Sequence, residues 1–544
     1  MKLKKFSLLI SFGLILSLLL AACGVDDKDK KGSDKAAPED QQVFNMNIHT
    51  EPPTLHPGQA TDNVSGAVLD QVFEGLMRVD QKGKVQPGMA ESYDLSDDKL
   101  TYTFKLREDA KWSNGDPVTA EDFVYAWKWV LNPDSPDTDY AYQLYPIEGA
   151  EDAKEKDGSL DDVGVKAKDD HTLEVKLTHP TPYFPELTAF YTFYPVNHKV
   201  ADDKGKWAQN AGDKYVTNGP FTLDTWKHKD KVILKKNKDY WDADAGKLQT
   251  VTMNMIEDEN TELELYKSGD LDWAGSPVSA LPLPSIDSLK KSGELEVEPY
   301  SGIYYYIFNT EEEPFNNKNI RKAFALAIDR EALIKNVTKG EQIPAQALVP
   351  STIWKENEKG YFKDNDAKEA KKLLEKGMKE EGWDKLPTPK ISYNTSEAHA
   401  SIAQAIQDMW KKNLDVDAKL NNEEWNVFLD SLGESNYQVA RMGWVADFND
   451  PINFLEIYES KGGNNYTNWE NKEFAKLLKD ARKETDDKKR NQLLRDAEEI
   501  YMDEMPTAPI YFNTSVYVKA DYVKNIDVNE SAKLQLKWAY IAEH

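Results

Sequence analysis

The sequence predicts an α/β fold, and three observations carry that expectation. Strand and helix patterns alternate along the 544 residues. One unit, "PKISYNTSEAHASIAQAIQDMWKKNLDVDAKL" (389–420), reads strand–helix–strand, a crossover that joins two parallel strands by a right-handed connection. Two strand ends, one in that unit and one near residue 442, run into polar and aromatic residues at the sheet edge where open α/β folds bind ligands. The length suits about three or four domains' worth of chain. A hydrophobic content of 40%, with 14 Trp and 26 Tyr, is enough for sizeable cores.

Taken in order, the chain opens with three lysines, an apolar run from Phe6 to Leu20, two alanines and Cys23. Basic, apolar and small is the order of a secretory signal, and the run is short of the ~20 residues a membrane span needs. "LAAC" resembles a bacterial lipobox, whose cysteine is acylated and becomes the new N-terminus. Cys23 is the only cysteine, so neither an internal disulfide nor a spare thiol nucleophile is available. Residues 1–22 read as signal peptide and 23–42 as the lipidated cysteine with a disordered tether, since "GVDDKDKKGSDKAAPED" mixes both charge signs with little to bury. Further on, "KLTYTFKLR" alternates Leu100, Tyr102, Phe104 and Leu106 with Thr101, Thr103, Lys105 and Arg107, a half-buried strand. Thr119 and Asp122 form a capping-box pattern before a helix whose Phe123, Trp127 and Leu131 share one face. In 389–420 the strands hold Ile391 and Tyr393, then Val416, Ala418 and Leu420. The helix between them holds Ile402, Ile406, Met409 and Trp410, and His399 lies in its opening turn. "NYQVARM" (436–442) reads as another strand.

Composition narrows the function. The formal charge is −27, and −30 once residues 1–22 are removed, so the chain is repelled by phosphate backbones and no nucleic-acid partner is expected. There is no phosphate-binding GxxxxGK[ST], no HExxH, no GxSxG and no CxxC. The eight histidines are scattered, and no metal site or cofactor is expected. A binding module fits this inventory better than an enzyme.

The stretch "VARMGWVADFND" (439–450) singles out one side chain. Asp450, before Pro451, supplies the helix-start signal. Asp447, among Trp444, Val445, Ala446 and Phe448, is left without that task. It is either a loop-turn residue or a group placed for a ligand.

Beyond the tether the chain resembles the extracellular oligopeptide-binding proteins of ABC peptide importers, the large peptide/nickel-type class of solute-binding lipoproteins. The likeness is carried by "EPPTLHP" (51–57), "VFEGLMR" (72–78), "MAESYDLSDDKLTYTFKLREDAKWSNGDPVTAEDFVYAWKW" (89–129), "TNGPF" (217–221), "YYYIFNT" (304–310), "NIRKAFALAIDRE" (319–331), "WKKNL" (410–414) and "GWVADFNDPINFL" (443–455). It implies a two-lobed periplasmic-binding-protein-like fold with a third subdomain and a hinge. Residues 43–73, 200–302 and 515–544 would form lobe I, 74–199 the extra subdomain and 303–514 lobe II. It implies that Asp447 receives the α-ammonium group of a peptide. The strand ends Gly443–Val445 and Gly302–Tyr306, Tyr305 among them, would pair with the peptide main chain, and Trp425 and Trp444 would wall side-chain pockets. Arg441 and His399 match positions that take the carboxylate of short peptides, against a structural ion pair and a helix-start role. Tyr140 and Tyr142 match a stretch that lines the site.

The partners implied are oligopeptides, the transmembrane subunits of an ABC permease with separate ATPase subunits, and the membrane through the lipid on Cys23. The protein would work as a monomer on the extracellular face of the cytoplasmic membrane. One departure is "SLGE" (431–434), where enteric relatives carry basic residues; it weakens any transfer of peptide-length preference. Within the same fold the alternative is a binder of nickel, haem or an oligosaccharide, none of which offers Asp447 an α-amine. Outside it, the alternatives are a secreted hydrolase or a surface chaperone.

Overall fold

A computed structural model describes residues 34–202 and 204–544. The signal segment, Cys23 and the tether as far as residue 33 lie outside the described residues. The described end of the expected tether is docked. Ala36 forms a bridge with Ala542, and the Ala37 N–H donates to the Ile541 carbonyl (2.9 Å). The Gln42 amide donates to the Ala37 and Ile541 carbonyls and accepts from the Ile541 N–H. Average polarity of the segment hides this, because one glutamine and two alanines suffice to complete a short strand edge.

Three sheets organise the molecule. A four-stranded sheet runs in the order Val43–Asn47, Thr250–Asn254, Lys231–Lys236, Phe221–Lys227, its first pair parallel and the rest antiparallel. A second four-stranded sheet, all antiparallel, pairs only within residues 90–176. A seven-stranded mixed sheet has the order Trp273–Gly275, Thr507–Lys519, Glu296–Phe308, Val439–Val445, Lys390–Asn394, Lys419–Glu423, with Ile343–Pro344 on the side of Thr507–Lys519. The fold is α/β and two-lobed. Two strands of 13 residues, Glu296–Phe308 and Thr507–Lys519, lie side by side at the centre of the large sheet. The lobe boundaries expected at 302/303 and 514/515 fall inside these strands.

The expected elements form for the reasons their sequences give. In the strand Thr101–Leu106, Tyr102, Phe104 and Leu106 are buried while Lys105 is exposed. The helix Ala120–Leu131 has its capping box, and it buries Phe123, Trp127 and Leu131. The crossover is present: Lys390–Asn394 and Lys419–Glu423 are parallel, joined by the helix Glu397–Leu414. Ser396 caps that helix by accepting from the His399 N–H, and Ile402, Ile406 and Trp410 face the core. The strand expected over 436–442 is shifted to Val439–Val445, so Gly443, Trp444 and Val445 belong to the strand rather than to the loop beyond it.

Candidate functional site

A cavity of about 320 Å³ lies beside the carboxyl ends of Lys390–Asn394 and Val439–Val445. His49 and the start of the helix Asn63–Val72 border it, as do His399, Arg441 and Trp425. Its geometry follows from the pairing of Glu296–Phe308 with Val439–Val445. Gly302 faces Val445, Tyr304 faces Gly443, and Tyr306 faces Arg441. The Ala446 N–H donates to the Ser301 carbonyl (2.8 Å) and the Asn309 N–H to the Gln438 carbonyl (2.9 Å). Main-chain groups alternate in direction along an antiparallel pair. The N–H and C=O of Gly443 and Val445 therefore point away from Glu296–Phe308. On that far side the next strand, Lys390–Asn394, pairs only at Val439 and Ala440. Gly443 and Val445 thus present an open strand edge to the cavity.

This register corrects one expectation. Ile303–Tyr306 is flanked by Val439–Val445 on one side and Thr507–Lys519 on the other and offers a peptide no free edge, while Gly302 lies in the register shift between Pro299 and Ile303 and pairs only with Val445. Tyr305 is on the face opposite to Tyr304, is 2% exposed and does not line the cavity. The period of two puts Tyr300 and Tyr304 there instead. Gly302 does not line it either; a Cβ at that position would meet the Tyr300 ring at 2.5 Å, so the glycine lets that ring pack down. Of the tyrosines at 140 and 142, Tyr140 lines the cavity. Tyr142 stacks behind it, ring centroids 5.7 Å apart, with its hydroxyl buried and unpaired. Asp447, Gly443, Trp444, Val445, Trp425, Arg441 and His399 are all in the cavity wall.

Asp447 is held by two buried amides, Gln143 and Asn453. Its Oδ2 accepts from Gln143 Nε2 (2.8 Å) and from Asn453 Nδ2 (3.3 Å). The Asn453 side-chain oxygen accepts from the Asp447 N–H (3.0 Å) and from Trp444 Nε1 (3.1 Å). Among the described residues, no group donates to Asp447 Oδ1. Burial pushes this carboxyl up to about 7, against the opposing pull of Lys533, Asn453 and Gln143. Asp450 is occupied elsewhere, as its neighbour Pro451 suggests. It accepts from the Ile452 N–H (2.9 Å) and forms a two-point ion pair with Arg490. The helix that follows is Ile452–Leu455, with Pro451 rather than Asp450 at its N-cap position.

Arg441 has no carboxylate within ion-pair distance among the described residues. It donates to Asn394 Oδ1 (3.3 Å) and lies over the Tyr304 ring at 4.8 Å, and its Nε is buried without a partner. The structural ion pair is therefore absent. His399 Nδ1 is 3.3 Å from the Tyr304 hydroxyl. Burial first, then Arg441 and His49, hold its pKa well below the usual histidine range, so it offers hydrogen bonds and not charge. Trp425 begins the helix Trp425–Gly433, and its Nε1 is buried without a hydrogen-bond partner.

Two contributors escape a reading of the sequence. Asn453, fully buried, organises the Asp447 loop from inside the next helix. Gln143 reaches Asp447 across 304 residues of chain, and nothing local in "DYAYQLY" marks it. Among the described residues no cluster of His, Cys, Asp or Glu has the grouping to hold a metal ion, and no helix is long and apolar enough to cross a membrane.

Comparison with known proteins places this geometry. Residues 84–466 match the family of bacterial extracellular solute-binding proteins, family 5 middle. The oligopeptide-binding protein OppA of Bacillus subtilis (strain 168) is 53% identical over 543 residues, covering 99% of both chains. Haemophilus influenzae OppA, solved in complex with RPPGFSPFR, superposes with a TM-score of 0.86 at 34% identity, over 92% of this chain and 99% of that one. The murein tripeptide-binding protein MppA of Escherichia coli gives 0.87 at 32% identity, over 92% and 99%. Its unliganded open form gives only 0.64, over 94% and 99%, so the present arrangement departs from that open state. By this match over most of its length, the chain belongs to the family 5 bacterial extracellular solute-binding proteins.

Proposed function

We propose that this protein is a lipid-anchored extracellular receptor that binds oligopeptides between its lobes and hands them to an ABC permease for import. Residues 43–73, 200–302 and 515–544 form one lobe, 303–514 the other and 74–199 the extra subdomain, with the hinge inside the two 13-residue strands. Cys23 carries the lipid, and the receptor acts as a monomer. The observation that carries the reading is the juxtaposition of Asp447 Oδ1, without a donor of its own, and the open edge of Gly443 and Val445 in one cavity wall. An α-ammonium group meets the carboxylate in a charge-assisted hydrogen bond. The peptide main chain then adds to the strand edge, which recognises backbone and leaves the residue order free. Arg441 and His399, further along the same wall, receive the carboxylate of short peptides; the lack of an ion-pair partner for Arg441 supports this. Trp425, Trp444 and Tyr140 wall side-chain pockets, where water satisfies varied polar groups.

A thermodynamic cycle tests the reading. Wild type and Asp447→Asn are each titrated by calorimetry with a free-amine tetrapeptide and its N-acetylated form. Removing one charge of a buried pair costs about 3–5 kcal/mol, because the other charge stays desolvated. Each single change is expected to weaken binding by that order, and the two together by much less than their sum. Additive losses would show that Asp447 does not meet the amine and would return it to a turn role.

A further inference from the structure

The loop that carries Asp447 is gripped by residues of the 74–199 segment, the expected extra subdomain. Gln143, 2% exposed and in the short helix Asp139–Leu144, donates to Asp447 Oδ2 at 2.8 Å. The Tyr183 and Phe448 rings are stacked, centroids 4.4 Å apart and planes within 7°. The Glu186 carboxylate accepts from the Asn449 N–H at 3.0 Å. These are three separate contacts on three consecutive residues, 447–449. All come from the 74–199 segment, whose four-stranded sheet pairs only within itself.

We propose that the extra subdomain acts as a positioning device for the peptide amine, with Gln143 as the residue that aims the Asp447 carboxylate. The proposal rests on the reading of Asp447 as ammonium acceptor. A carboxylate beside an open cavity can rotate about its side-chain bonds, and a rotated carboxylate turns its free lone pairs away from the ligand. Gln143 removes that freedom. It engages Oδ2, and so leaves Oδ1 for the ligand. It also stabilises the ionised form, which is the form an ammonium group needs. Asn453 alone makes a longer bond to the same oxygen, 3.3 Å against 2.8 Å, and cannot substitute in full. The stacked ring pair and Glu186 fix the main chain of the loop, so the carboxylate is located as well as oriented. The charged and titratable groups that act on or are affected by Asp447 are Lys533, Glu456 and the tyrosines 140, 142 and 191. Neither variant below alters any of them.

The test compares wild type, Gln143→Leu and Glu186→Ala for a free-amine tetrapeptide and its N-acetylated form, across pH 5–8. Loss of a charge-assisted hydrogen bond is expected to weaken Gln143→Leu for the free-amine peptide by about tenfold at pH 7.5. Its affinity is expected to fall away at higher pH than in wild type, because the carboxyl keeps its proton longer. The acetylated peptide should bind with little change. Glu186→Ala, which leaves the carboxylate its partners, should show a smaller loss in the same selective direction. Equal losses for both peptides with an unshifted pH profile would assign Gln143 a merely structural role and overturn the proposal, as would no loss at all. If wild type itself fails to discriminate the acetylated peptide, it is the ammonium reading of Asp447 that falls. Thermal melts of the ligand-free variants separate a folding defect from a binding one; if Gln143→Leu does not fold, the Glu186→Ala result decides.

Discussion

The pH dependence of peptide affinity follows from the site. In the described arrangement burial holds the Asp447 carboxyl near 7, so without a ligand it carries a proton over much of the range from pH 4 to 7. On the proposed reading of Asp447, an incoming ammonium group selects the ionised form and draws the pKa back toward the ordinary value near 4. The sign is then fixed: binding releases a proton below pH 7, and acid weakens binding. At pH 5, about two units below that value, only about 1% of this carboxyl is ionised. At pH 7.5 most of it is, and most of the peptide amine, with a pKa near 8, is still charged. The dissociation constant should therefore rise about 50-fold between pH 7.5 and pH 5, about 2.3 kcal/mol at ~1.36 kcal/mol per pKa unit. Above pH 8 affinity should fall again as the amine loses its proton. Calorimetry in two buffers of different ionisation enthalpy counts the proton directly, nearly one released at pH 5.5 and few at pH 7.5. Glu259, Glu262 and Glu456 are also pushed up to about 7 by burial, so the control is Asp447→Asn, in which the acid limb should vanish. An acid limb of the same size in that variant, or a flat profile in wild type, would refute the assignment.

Two further outcomes are expected. Saturating tetrapeptide should compact the protein in small-angle scattering and raise its melting temperature, since a ligand at 100 times its dissociation constant stabilises the bound form by about 2.7 kcal/mol; an unchanged radius of gyration with binding confirmed would contradict closure. Wild-type protein should take up radiolabelled palmitate and fractionate with membranes, while Cys23→Ser should be unlabelled and either released or unprocessed; an unlabelled wild type would end the anchor proposal.

Much of the fold was legible because it rests on local signals. Ser396 before an apolar stripe, Thr119 with Asp122, and the alternation from Leu100 to Leu106 each state their own structure, and each element is found. Asp447 stood out because Asp450 already accounted for the helix start. The parts that were not legible depend on register and on distant contacts. "YYYIF" does not say which of its tyrosines turns toward the cavity, and the shift by one residue from Tyr305 to Tyr304 is decided by pairing with Val439–Val445 and by nothing local. Gly302 reads as a candidate until the Tyr300 ring packed over it is known. Gln143 and Asn453 carry no motif, since a buried amide is useful only for what the fold places beside it. The docking of Ala36, Ala37 and Gln42 on the C-terminal segment likewise joins residues some 500 apart in sequence, beyond any window of composition.

The open edge at Gly443 and Val445 bears on how such a receptor behaves in a mixture. An N–H and a carbonyl are common to every peptide, and so is the terminal ammonium. On the proposed reading, the groups that hold the ligand cannot tell one sequence from another, and unlike peptides compete for a single edge on nearly equal terms. The fraction of receptors filled then follows the summed concentration of all free-amine peptides outside the cell. A rare peptide is carried in proportion to its share of that pool. The receptor thus works as an integrator of total peptide supply, and any preference for one sequence has to come from the side-chain pockets around Trp425, Trp444 and Tyr140.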